Sequence, residues 1–285
     1  ATAPGPAGTA AEGDASGGFA ETLLLATGAE SIAAAFEGRL TETLALLGAT
    51  GAAGEVIKLA TLGTIAAPLV VAVGLGPEPT GAAPAPETLR RAAASAIRAL
   101  AGCERVALTL PLPDDEDAPA ALRATAEGAL LGAYRFAGYK TRPQPGRRPP
   151  VASVAVHVPD AGDDRARAEI TRASIVASAV GQTRDWVNTA PNELRPPAFA
   201  DAVATAARQV GLEVEVLDEN ALAEGGYGGI LAVGLGSAAP PRLVKLSYRP
   251  ADTGTEPARR VALVGKGITF DTGGVSIKPA QGMWE

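Results

Sequence analysis

The sequence predicts an α/β protein made of two successive domains, and three observations support this. Stretches of helical and strand periodicity alternate from about residue 21 to 160, and the alternation begins again after residue 189. A length of 285 residues suits about two domains rather than one. A hydrophobic content of 47% with only 4% aromatics supplies a core built from Ala, Val, Leu and Ile.

Residues 1–20 are rich in Ala, Gly, Pro and Thr without a period and are expected to be disordered or weakly ordered. The N-terminal α/β domain is assigned to 21–160. Ile32, Phe36, Leu40, Leu44 and Leu47 recur at helical spacing, with Gly48 placed to end the helix. Residues 55–61 and 69–75 read as strands, 86–100 as an amphipathic helix, 106–110 as a strand, 118–134 as a helix and 151–158 as a strand. That order predicts a largely parallel sheet. A long linker helix follows over 163–188, its acidic opening pair Asp163 and Asp164 suiting the positive end of the helix dipole. The second domain, 189–285, starts with a helix that carries Pro196 and Pro197 in its first turn and ends at Gly211. Strands are expected at 213–217, 229–233, 242–248 and 260–268, in a sheet left incomplete by the residues given.

Composition excludes several functions. A net charge of −6 lacks the basic face that nucleic acid demands. The Arg-rich stretch 141–150 is also Pro-rich and reads as a solvated connector. No apolar run is long enough to span a bilayer, and no basic-then-apolar leader is visible. One cysteine, Cys103, allows no intramolecular disulfide and suits a reducing cytosol. One histidine, His157, makes a Ser-His-Asp triad improbable, and a metal site would have to rely on carboxylates, amines or carbonyls. The strand ends Val71–Gly76 and Ala232–Gly236 are Gly-rich, but Pro77 and Pro240 follow them, so neither opens a dinucleotide-binding helix.

Chemistry concentrates in Val261–Lys278, which reads as a buried apolar strand, a polar cluster and a short alternating strand. The cluster holds Lys266, Asp271 and Lys278 among four glycines. The chain has five lysines against twenty arginines, and two of those five fall here. An ammonium can lose its proton and ligate a metal, or keep it and bind an oxyanion, whereas a guanidinium stays charged.

The run Val264-Gly-Lys-Gly-Ile-Thr-Phe-Asp-Thr-Gly-Gly-Val-Ser-Ile-Lys-Pro279 resembles the metal-binding stretch of the leucyl aminopeptidases, the cytosolic two-metal exopeptidases. Thr183–Pro196 resembles that family's segment leading into the catalytic domain, and Gly225–Val244 the run before its metal strand. The resemblance is diagnostic from about residue 170 onward. It implies that the second domain is the start of an α/β/α metallopeptidase domain and that the protein is a cytoplasmic metallo-aminopeptidase of leucine-type preference. It also implies two divalent metal ions, Mn or Zn foremost, peptide substrates with a free N-terminus, and a homo-hexamer. Asp271 would bind both ions and Lys266 one of them through a neutral amine. Lys278 would be catalytic, steadying the developing gem-diolate oxygen. Two cations a few ångströms apart can bring the pKa of a water down toward roughly 7. The family's other metal-binding carboxylates and its bicarbonate-holding Arg come later than Glu285. The chain is therefore expected to be an incomplete portion, inactive by itself. The alternative is a non-catalytic homologue with a binding or scaffolding role.

Overall fold

The computed structural model describes residues 23–79, 83–142, 146–249 and 260–283. The segment 1–20, expected to lack order, lies outside the described residues. The described chain is mixed α/β and divides into two compact units. One comprises the residues up to Arg135 together with 143–179, and the other 136–142 with 180–285.

In the first unit, the apolar period expected to make a single helix yields two short ones, α1 (Glu30–Ala35) and α2 (Leu40–Leu46). Glu37 and Gly38 take positive φ values of 53° and 75°, which no helix can carry, so the chain turns there while Leu40 and Leu44 remain buried. Strand β1 (Val56–Ala60) pairs antiparallel with β2 (Leu69–Val73), Val56 opposite Val73 and Ala60 opposite Leu69. This corrects the expected parallel arrangement. The connection between them is too short for the dozen or more residues of a crossover and can only fold back as a hairpin. Helix α3 (Pro86–Ala99) opens with Pro at its first position, and its C-terminus is capped by the Lys58 ammonium donating to the Ala99 carbonyl.

Strand β3 (Arg105–Leu108) leads through α4 (Ala118–Gly132) to β4 (Ser153–Val156), and here the pairing is parallel, as a helical crossover allows. Helices α3 and α4 pack so closely that only glycine fits at the crossing. A Cβ on Gly128 would lie 2.1 Å from the Arg90 carbonyl oxygen, and one on Gly132 2.6 Å from that of Ala94. Charge is buried at the same place and is paired. Glu127 accepts from Arg90 at 2.9 Å, Arg90 also binds Glu87, and Arg123 reaches Glu169 at 2.9 Å. Leu89, Ala93, Ile97, Leu108, Leu110, Ala121 and Val151 fill the core between helices and strands.

Helix α5 (Asp164–Asn188) covers the expected linker helix. In the second unit, α6 (Pro196–Gln209) buries Ala200, Ala204 and Ala207 along one face, spaced by one helical turn, and packs on β5 (Glu213–Leu217) and β6 (Leu243–Ser247). Those two strands are antiparallel, Glu213 opposite Ser247. Between them lie α7 (Glu219–Glu224) and α8 (Gly228–Gly234). The α7 N-terminus is capped by Asp218, which accepts from the Asn220 and Ala221 amides, and Leu222 is fully buried.

Two expected strands of this unit are not strands. Residues 229–233 form α8, because a five-residue apolar run carries no period to choose between helix and strand, and the turn at Tyr227 sets helical hydrogen bonds. Residues 260–268 form no ladder, and Val261, Leu263 and Val264 are exposed rather than buried. A strand takes its hydrogen bonds from a neighbour, and none of the described strands pairs with 260–268.

Candidate metal centre

After Ile268 the chain forms a compact turn that brings two of the three predicted site residues together. The Gly273 amide donates to Asp271 Oδ1 at 3.0 Å, so the carboxylate closes its own turn. The Lys278 amide donates to the Thr272 carbonyl at 2.9 Å, and Gly273 bridges to Ile277, so the chain doubles back within six residues. Gly273 has φ +88°, and a Cβ there would stand 2.5 Å from the Ser276 carbonyl oxygen, so conformation and space both require glycine.

The doubling-back sets Lys278 Nζ 3.4 Å from Asp271 Oδ2. Both carboxylate oxygens of Asp271 are therefore engaged, one by an amide and one by an ammonium. The Gly273 hydrogen bond, then the Lys278 charge, and more weakly the charge of Lys266 hold the Asp271 carboxyl below its ordinary range. The carboxylate is thus anionic, the charge state that a cation ligand needs. The cluster is not buried as the apolar sequence around it implied: Asp271 and Lys278 side chains are 46% and 36% exposed, and Lys266 is exposed.

Lys266 reaches Asp271 through charge alone, and its segment is placed by other means. A Cβ on its neighbour Gly267 would lie 2.8 Å from Phe199 Cε1, so the backbone rests directly on that ring. Phe199 stands edge-on to Trp186, ring centroids 5.4 Å apart at 74°. Sequence reading did not find this pair. Phe199 was one apolar position of α6 and Trp186 one of α5, and nothing in the spacing ties either to residue 267. Nearby, the Tyr139 hydroxyl accepts from the Ala190 amide at 2.6 Å and donates to Glu193 at 3.0 Å, fixing the turn between α5 and α6.

The donor chemistry is that of part of a hard-cation site. One carboxylate and one amine suit a divalent ion but are too few to hold two, and among the described residues no group of three His, Cys, Asp or Glu side chains converges. No helix of the described residues is long and apolar enough to cross a membrane.

Comparison with known proteins bears on the same region. The sequence profile of the cytosol aminopeptidase family, N-terminal domain, matches residues 18–143, and that of the family's catalytic domain matches 182–285, which contains the turn. A probable cytosol aminopeptidase of Streptomyces coelicolor is 47% identical over 270 residues, covering 90% of this chain and 51% of the relative. One from Micrococcus luteus is 48% identical over 241 residues, covering 84% of this chain and 46% of the relative. The chain thus spans about half the length of the curated relatives it matches.

Among solved structures, the bottromycin maturation enzyme BotP in complex with Mn superposes with a TM-score of 0.68 at 36% identity, over 84% of this chain and 48% of that one. A tomato leucine aminopeptidase variant gives 0.70 at 23% identity over 85% of this chain and 47% of that one, a likeness of fold alone. With both of the family's domains matched in order and close to half of the residues identical to named relatives, the chain belongs to the cytosol aminopeptidase family.

Proposed function

We propose that the protein is a metal-dependent aminopeptidase that removes N-terminal residues, leucine foremost, from peptides, and that this chain supplies its N-terminal domain and the first part of its metal centre. The observation that carries the reading is the Asp271–Lys278 pair, an anionic carboxylate and an ammonium 3.4 Å apart on a glycine-closed turn. Asp271 would be the carboxylate that holds both divalent ions, and its two oxygens face separate partners here, the Gly273 amide and the Lys278 ammonium. Lys266 fits the amine ligand of one ion, which requires its lone pair to be free of a proton. Lys278, beside Asp271, is the group that would donate to the carbonyl oxygen of the scissile peptide as negative charge builds there.

When bound, the ions would activate water, polarise the carbonyl and hold the substrate's free amine, which accounts for exopeptidase action. BotP, at 36% identity, is described in complex with Mn, which supports Mn as a metal of choice here. The remaining carboxylate ligands belong in this reading to the part of the catalytic domain that the relatives carry and this chain does not span.

The test is hydrolysis of leucine p-nitroanilide by the protein carrying the whole catalytic domain. Activity that disappears on chelation and returns with Mn²⁺ or Zn²⁺ supports the reading; full activity in the chelated, metal-free protein overturns it. Lys278→Met should lower kcat by about 10²–10³ with metal content unchanged, the loss typical of one oxyanion donor.

A further inference from the structure

We propose that Phe199, backed by Trp186, is a positioning residue that fixes Lys266 through Gly267. This deepens the reading above and rests on its assignment of Lys266 as a metal ligand.

The segment that carries Lys266 has no ladder partner among the described residues, and its apolar side chains Val261, Leu263 and Val264 are exposed. Among the described residues, neither sheet hydrogen bonds nor burial of those side chains sets its path. At Gly267 the situation changes. The missing Cβ would stand 2.8 Å from Phe199 Cε1, closer than two carbons approach without one of them moving. The ring cannot easily yield, because Trp186 packs edge-on against it at 5.4 Å. Phe199 is held in turn by α6, whose Ala200, Ala204 and Ala207 are buried against the β5–β6 pair. A rigid path therefore runs from the sheet through α6 and the aromatic pair to the backbone one residue after Lys266.

A metal ligand must be placed to within a fraction of an ångström, and outer partners that orient ligands typically change metal affinity by about 10–100-fold when removed. Glycine at 267 lets the backbone come down to the ring. Any side chain there would lift the peptide and move the Lys266 amine with it.

The experiment is a size-exchange pair in the protein with its whole catalytic domain, read by Mn²⁺ affinity in competition with a chelating indicator and by thermal unfolding of the metal-free form. Gly267→Ala should weaken Mn²⁺ binding about tenfold or more while the unfolding temperature of the metal-free protein changes little. Phe199→Leu alone, which leaves a space beneath Gly267, should weaken binding too. The double variant should recover most of the wild-type affinity, because the added methyl fills the space the ring vacates.

Affinities additive in the double variant, or unchanged by Phe199→Leu, overturn the proposal even if Gly267→Ala fails to fold. So does a fall in unfolding temperature with affinity intact, which would give Phe199 a packing role only. Absence of Mn²⁺ and Zn²⁺ binding by the wild-type protein removes the metal-centre reading itself and this inference with it, an outcome distinct from the others.

Discussion

At the scale of single residues, Asp271 shows how much a short turn does electrostatically. Its carboxyl is held low first by the Gly273 amide and then by Lys278. A depressed carboxyl pKa stabilises the turn above the ordinary aspartate pKa, and that contribution fades as the pH falls through the lowered value. In the metal-free chain, a ¹³C NMR titration should therefore find the Asp271 midpoint below that of an unperturbed aspartate. Lys278→Met should raise it only part of the way, since the larger influence, the amide, remains. Full return to the ordinary value would show that the ammonium and not the turn sets it. Glu127 illustrates the opposite case, a carboxylate buried and paired with Arg90 at 2.9 Å. Glu127→Ala should cost about 1–3 kcal/mol in denaturant unfolding, because it leaves a half-buried guanidinium short of a partner. An unchanged midpoint would place the pair among interactions without net value.

At the scale of elements, the decisive contact is the crossing of α3 and α4. Helical periodicity located both helices to within two residues of where they occur, because Pro at the start and an apolar stripe are local properties. Periodicity did not show that Gly128 and Gly132 are the contact itself. Gly128→Ala puts a methyl within 2.1 Å of the Arg90 carbonyl, a backbone atom that cannot swing aside. It should destabilise the first unit by about 1–3 kcal/mol despite alanine's better helix propensity. A gain in stability would mean that the helices separate at little cost.

Strand pairing was less legible than helix placement. The chain shows five- to nine-residue apolar runs, yet the partner of each run lies elsewhere. So β1–β2 and β5–β6 proved antiparallel, 229–233 proved helical, and 260–268 acquired no ladder. For β1–β2 the connection length did contain the answer.

At the scale of the whole molecule, two features carry expectations for the chain of 285 residues. Val261, Leu263, Val264 and Val275 are each at least 80% exposed and lie in one segment, an apolar surface of the kind that drives association. Light scattering should show association increasing with concentration, and a monodisperse monomer throughout would contradict it. With one carboxylate and one amine, the same chain should hydrolyse no leucine p-nitroanilide at any Mn²⁺ concentration. Turnover by the purified chain, free of host peptidase, would refute that.

The sequence by itself determined the α/β class, the long helices α3 to α6, and the contiguous run from Val264 to Pro279 that led to the family. These are encoded locally, in periods, caps and a glycine-spaced cluster whose chemistry is carried by residue type. Only the tertiary structure decided which strands pair and in which direction. It also decided that Asp271 and Lys278 meet through the Gly273 turn while Gly267, next to Lys266, lies against Phe199 from a distant part of the chain. Those outcomes depend on contacts between distant segments, whose partners are selected by shape and hydrogen-bond supply once the chain is compact, and no local pattern records them.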